Sequence, residues 1–339
     1  MKGTNQSVNQ SSIPSVSTGE QKGPRGYFFA RYGMLMLLAG MIVFFSLLLP
    51  DLFPKFVVLR TILATQSVLA VIAIGMLLPL SVGEFDLSAA SNVSVSMIVS
   101  TALMARAGVS MPIALLGGLA VSTLIGVING ILVTRVGINS IITTLGMSTI
   151  LQGLVYGYTG GMAIVKGVPT ALRNLASPTV LGLPLPVYYM LAIAVVVWYM
   201  LEQTPLGRYF YAIGGSKEAA RLAGINTNRL TMLAFVQCAF LAGIAGLMTA
   251  AKLGSGHPTI GPTFMMPAFA AAFLGAAAFK PGTFNVAGSV LAIFTLATGV
   301  TGLQLAGAPY WIDQVFNGTA LILAVTLVRY LRGESINPV

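Results

Sequence analysis

Charge is what this chain has least of. Among its 339 residues only 8% are Asp, Glu, Lys or Arg, and just eight are acids. A soluble domain carries about a quarter charged residues, so this one cannot cover a water-facing surface, and most of it must face lipid or other apolar helices. Histidine and cysteine occur once each, as His257 and Cys238. No cluster of His, Cys, Asp and Glu offers convergent metal ligands, and a membrane-embedded hydrolase or transferase would lack its nucleophile–base pair. The phosphate-cradling pattern G-x-x-x-x-G-K-[ST] is also missing, so no recognisable motif binds or hydrolyses ATP. Cys238 sits in an apolar run, where a thiol serves as a small core residue.

What is present is hydrocarbon. The chain is 56% hydrophobic, its mean hydropathy is +0.88, and apolar runs of about 20 residues, enough to cross a bilayer, recur along it. Backbone groups in lipid need internal partners, which leaves helices or a closed barrel. The runs are continuous rather than alternating in short pieces, which selects helices. The expected architecture is all-α: a polytopic transmembrane bundle of about ten spans, near 33–50, 58–80, 86–105, 111–134, 138–158, 186–203, 230–252, 266–280, 284–304 and 311–331. Residues 1–26, rich in Ser, Gln, Asn, Gly and Pro, read as a disordered cytoplasmic tail, without the short apolar region and cleavage site of a signal peptide. Residues 27–339 form the membrane domain, with real loops at 160–185 and 204–229. The +10 net charge is scattered over loops rather than gathered in a stripe, so orientation explains it better than nucleic acid. With the N-terminus inside, twelve Lys and Arg lie on the inner side and six on the outer, which favours both termini in the cytoplasm.

Two segments share a pattern. AIGMLLPLSVGEFDLSAASNVSVSMIVST, from Ala73, and AAAFLGAAAFKPGTFNVAGSVLAIFTLAT, from Ala270, each run apolar, polar break, apolar. Five spans per half would make the second half enter from the opposite side. That points to an inverted five-helix repeat with interrupted helices meeting near the midplane, as transporters use.

The loop TPLGRYFYAIGGSKEAARLAGINTNRL holds a short helix. Ser216 can cap its first amides, Glu218 suits its positive end, and Gly224 supplies a stop. Two turns of helix are unstable alone in water, so this one must dock, either on the membrane interface or on a partner.

LGRYFYAIGGSKEAARLAGI resembles the coupling loop of the ribose-type sugar permeases of bacterial ATP-binding-cassette importers, within the branched-chain amino acid/ribose/xylose/arabinose/galactoside permease superfamily. Leu206, Gly207, Arg208, Ala212, Gly214, Gly215, Ala219, Ala220, Gly224 and Ile225 match, with Ser216 where Asn is usual. GVINGILVTRVGINSIITTLGM also resembles a family block through Asn129, Gly130, Gly137, Ile142, Thr144, Leu145, Gly146 and Met147, with Asn139 where proline is common. FLGAAAFKPGTFNVAGSV is similar to a third block at Leu274, Gly275, Gly282 and Gly288. The resemblance covers roughly residues 30–330. It implies a permease subunit in the bacterial inner membrane, without cofactor of its own, whose cytoplasmic ATPase partners use ATP and Mg. It also implies a second permease copy or paralogue and a periplasmic or extracellular sugar-binding protein. The residues implied in ATPase coupling are Arg208, Gly214, Gly215, Ser216, Glu218, Ala219, Ala220, Arg221 and Gly224.

VGEFDLS, from Val82, is similar to the family's G-G-I-D-L-S, with Gly83, Asp86, Leu87 and Ser88 retained and Glu84 and Phe85 departing. An acid at membrane depth faces a bundle interior or water and marks a pathway or a structural partner. Asp86 therefore suits two roles, a cap for the helix beginning at Leu87 or a substrate contact. The polar residues after it serve equally as helix-packing glue or as sugar contacts. Candidate pathway residues are Phe85, Asp86, Ser88, Asn92, Asn139, Thr144, Phe273 and Asn285. Few charges and many hydroxyls and amides suit a neutral sugar. An ion-coupled secondary transporter, with Glu84 and Asp86 as coupling groups, is the competing reading.

Overall fold

In a computed structural model of the protein, residues 24–332 are described; of the tail expected at 1–26, residues 1–23 lie outside them. Helices α1 (Pro24–Leu48), α2 (Phe56–Ser81), α3 (Ala89–Ala105), α4 (Met111–Ile131) and α5 (Ser140–Thr159) come first, with a π-helical turn, Leu132–Val136, continuing α4. A 3₁₀ turn, Thr170–Leu175, and a two-residue hairpin, β1 (Thr179–Val180) and β2 (Leu183–Pro184), lead into α6 (Leu185–Gln203). The hairpin is antiparallel, Thr179 facing Pro184. Two short helices follow, α7 (Pro205–Gly215) and α8 (Lys217–Leu222), then the long α9 (Thr227–Leu253). The chain closes with α10 (Ile260–Thr263), α11 (Met265–Gly275), α12 (Val286–Leu305) and α13 (Ile312–Arg332).

Among the described residues, five helices are long and apolar enough to cross a membrane: α2, α4 with its π turn, α6, α9 and α12. Shorter apolar helices occupy Tyr32–Leu48, Ala89–Ala105, Ile260–Gly275 and Ile312–Thr326. Together with the 20-residue α5, these fill the ten stretches marked out by hydropathy. The architecture is a polytopic helical membrane bundle.

The centre is α2, α3 and α9. Every residue of α2 from Ser67 to Ser81 is buried, which is how a helix reads when protein encloses it on all sides. Close approach of α9 to its neighbours depends on missing side chains. A Cβ on Gly126 would lie 2.7 Å from the Phe235 carbonyl, and one on Gly246 would lie 2.5 Å from that of Val93. Small residues permit this because lipid gives helices no hydrophobic reason to associate, so packing itself must hold them. The outer faces of α1, α4, α5 and α6 carry exposed Leu, Ile, Val and Phe, among them Leu47, Leu116, Leu154 and Val196.

The repeat needs a different pairing from the one the pattern suggested. Gly83 lies against the Cα of Gly214 on α7, and the Phe284 carbonyl accepts a bond from Tyr211, also on α7. Both patterned breaks therefore sit at the same end of the bundle, and the two segments run in the same direction. An inverted pair would match α2–α3 with α9–α10, whose connection lies at the opposite end. Any two buried helix breaks look alike in hydropathy, which carries no direction.

Candidate functional site: two helix breaks joined by a short segment

The first break spans 82–88. Pro79 lies in the last turn of α2, its carbonyl accepting the amides of Val82 (3.1 Å) and Glu84 (2.9 Å). Gly83 turns the chain out at φ +81°, a conformation that costs glycine nothing and other residues strain. The backbone freed there is satisfied from α5. Leu87 N–H donates to Thr144 Oγ1 at 3.0 Å, and Phe85 N–H to Ser140 Oγ at 3.3 Å. Buried Asp86 Oδ1 accepts from Ser88 N–H (2.9 Å) and Ser88 Oγ (2.6 Å), while Asn129 on α4 donates to Ser88 Oγ at 2.8 Å. Asp86 thus binds amide at a helix start, although α3 begins at Ala89 rather than at Leu87.

Along α3 the polar residues meet protein. Asn92 donates to the Ser122 carbonyl, Ser91 pairs with Ser148 at 2.7 Å, Ser94 accepts the Gly261 amide, and Ser96 donates to the Gly243 carbonyl. Acceptors outnumber donors here, because Asp86 Oδ2, Asn92 Oδ1 and Asn129 Oδ1 are buried without a hydrogen-bond partner among the described residues. Such groups are uncommon in folded proteins and carry a desolvation cost.

The second break spans 276–285 and closes on itself. Asn285 donates to the carbonyls of Gly275, Ala278 and Thr283, each at 3.1 Å, and accepts the Gly288 amide at 2.7 Å, capping α12. Aromatic rings connect the two breaks. Phe85 stacks on Phe273, centroids 6.3 Å apart, and Phe273 meets Phe284 edge-on at 5.4 Å.

Both breaks rest on α7, and the first also meets α8. The buried side of α7 is Gly207, Phe210 and Ile213. A Cβ on Gly214 would fall 2.3 Å from the Ser81 carbonyl, so only glycine allows α7 this close to the end of α2. Tyr211 Oη donates to the Phe284 carbonyl at 2.7 Å. Burial, then the charge of Glu202, pushes its phenol up to about 12. Lys217, opening α8, reaches Glu84 at 3.2 Å, and Lys280 of the second break reaches Glu202 of α6 at 2.7 Å. The Ser216 side chain accepts the Ala219 amide at 3.2 Å, capping α8, and Gly224 ends this stretch at φ +82°. Ala220 is buried, whereas Arg208, Gly214, Gly215, Ser216, Glu218, Ala219, Arg221 and Gly224 are exposed.

Of the eight residues marked as pathway candidates, Asp86, Ser88, Asn92, Thr144 and Asn285 are buried and Phe85 and Phe273 half-buried. All but Asn92 and Asn139 lie in or directly against the two breaks. Asn92 lies one helical turn beyond Ser88. Asn139 is exposed, accepting the Ile141 amide at 2.9 Å as the cap of α5, one residue before Ser140, which meets the first break. Sequence reasoning missed α7 as a helix, although Leu206, Phe210 and Ile213 recur at helical spacing. It also missed Ser140, Asn129 and Tyr211 as partners of the breaks. The Lys217–Glu84 pair joins residues 133 apart, and no local signal marks it.

A helical membrane protein with passages interrupted at buried polar breaks, both leaning on one amphipathic segment, is built as a permease. The chain belongs to the family described as branched-chain amino acid transport system / permease component, whose model matches residues 58–325. It is 30% identical to a ribose import permease protein of Haemophilus influenzae, over 90% of this chain and 95% of that one. It is 31% identical to an L-arabinose transport system permease protein of Escherichia coli, over 94% and 98%, and 29% identical to a D-allose transport system permease protein of the same species, over 93% and 97%. No solved structure matches it.

Proposed function

We propose that this chain is the sugar-conducting permease of an ATP-driven importer in a bacterial cytoplasmic membrane, with α7–α8 and both termini on the cytoplasmic side. A separate ATPase docks on the exposed face of α8, a second permease copy or paralogue completes the assembly, and an extracytoplasmic binding protein delivers sugar. Similarity to ribose, arabinose and allose permeases supports a monosaccharide as cargo. The observation that carries the mechanism is the convergence of α7 on both helix breaks, with α8 on the first: Gly214 against Ser81, Lys217 with Glu84, and Tyr211 with Phe284.

Movement of α8 is then movement of the polar joint around Asp86 and, through the phenylalanine stack, of the second break. A rocking bundle alternates access to the two sides. Unpaired acceptors on Asp86, Asn92 and Asn129 suit a polyol, whose hydroxyls donate. The ion-coupled alternative is less well supported, since Glu84 is already paired with α8 and so belongs to the docking segment rather than to an ion path.

The test is reconstitution with the partner ATPase and binding protein. Glu218→Arg, or deletion of residues 216–223, is expected to leave membrane insertion intact and to abolish ATPase binding and uptake. Normal uptake by the deletion variant contradicts the docking role.

A further inference from the structure

A cleft among α3, α4 and α5, about 680 Å³, and one among α1, α2 and α12, about 670 Å³, are lined almost wholly by apolar side chains. They suit acyl chains, and nothing about them selects a ligand. A third cleft differs. It lies among α2, α10–α11, α12 and α13, holds about 420 Å³, and is lined by Thr61, Thr65, Gln66, Gln304, Asp313 and Asn317, with Thr301 and Phe264 beside them. Its volume is within the range of small-molecule sites. It is built from the first turns of α2, the last turn of α12 and the first turns of α13, the ends farthest along the chain from the two breaks.

In a bundle this apolar, such a density of amides and hydroxyls needs a reason. Gln66, Thr301 and Gln304 make no side-chain hydrogen bond among the described residues, so they do not hold helices together as the serines of α3 do. Thr61 and Thr263 spend their protons on the carbonyls of Val57 and Ile260, and Thr65 accepts from Lys252 at 3.3 Å. Their oxygens remain as acceptors, while the glutamine amides supply donors. Asn317 donates to the Asp313 carbonyl at 2.9 Å and to its carboxylate, which fixes the one acid at the rim. Phe264 offers an apolar wall. Amide donors, hydroxyl acceptors and one carboxylate, set against an apolar side that includes Phe264, Leu69 and Val300, are the groups that recognise a neutral polyhydroxylated ring.

We infer that this cleft is a sugar-binding station, separate from the joint around Asp86, where a monosaccharide rests on its way between the outer face and the breaks. The inference rests on the permease reading, with α7–α8 facing inward.

The test uses proteoliposomes holding the full chain, its partner ATPase and its binding protein, with labelled D-ribose, L-arabinose and D-allose as probes. Gln66→Leu combined with Gln304→Leu is expected to lower uptake of the transported sugar about tenfold, roughly the factor for losing one to two hydrogen bonds, while basal ATP hydrolysis and melting temperature stay near wild type. In a Cys238→Ser background, Gln304→Cys should react with a membrane-impermeant maleimide, and the transported sugar should protect it. Uptake by the double leucine variant within twofold of wild type overturns the inference. Should that variant be lost from the membrane, the labelling decides: protection supports the station and its absence overturns it. A wild-type chain that carries no sugar while assembling with the ATPase fails the permease reading instead, and the station falls with it.

Discussion

The two helix breaks solve one problem in opposite ways. At 276–285 a single side chain, Asn285, gathers three carbonyls and one amide from its own segment. At 82–88 the backbone is satisfied by Ser140 and Thr144 from α5, and Asp86–Ser88 is held by Asn129 from α4. The first arrangement is a local knot that travels as a unit. The second is a joint, correct only while α4 and α5 keep their places around it. A transporter needs both: one element that transmits motion rigidly, and one whose hydrogen bonds depend on where its neighbours stand.

That contrast can be broken experimentally. Asn285→Ala removes four hydrogen bonds, the α12 cap among them, and the largest loss of stability is expected there, about 3 kcal/mol, read as a lower melting temperature in detergent. Uptake per folded molecule should change less than stability does. Thr144→Val keeps the shape of the side chain but strands the Leu87 amide in a partly buried setting, at a cost of roughly 1–3 kcal/mol. Here the damage should appear in function, with uptake falling further than the melting temperature accounts for, because the joint and not the fold is disturbed. Equal behaviour of the two variants would erase the distinction.

How much of this was legible in the sequence follows from range. The apolar runs gave the ten helical stretches, because lipid imposes one requirement on every span. The α8 cap was legible because Ser216, Ala219 and Gly224 lie within one short stretch, and local chemistry decides helix ends. Two things were not legible. The direction of the breaks was hidden because hydropathy has no sign along the chain, so the 73–101 and 270–298 segments looked like an inverted pair although they run alike. The partners of the 82–88 joint were hidden because Ser140, Asn129 and Lys217 reach it from distant positions, which only tertiary packing decides. Asn139, marked for the pathway by its place in a motif, is exposed and caps α5, a local role that its own sequence position made legible.

The smallest expected effect on stability belongs to the ion pair between α8 and the first break. Lys217 is about half exposed, so the pair contributes no more than about 1 kcal/mol. In the proposed mechanism it is the contact through which docking at α8 would reach the joint, and it gives the most direct measurement: sugar molecules taken up per ATP hydrolysed, in proteoliposomes with ATPase and binding protein. Glu84→Lys should lower this ratio about fivefold, the factor that roughly 1 kcal/mol sets, and adding Lys217→Glu should restore it. An unchanged ratio in the single variant, or a loss that the charge swap does not repair, would contradict the claim that α7–α8 drives the breaks.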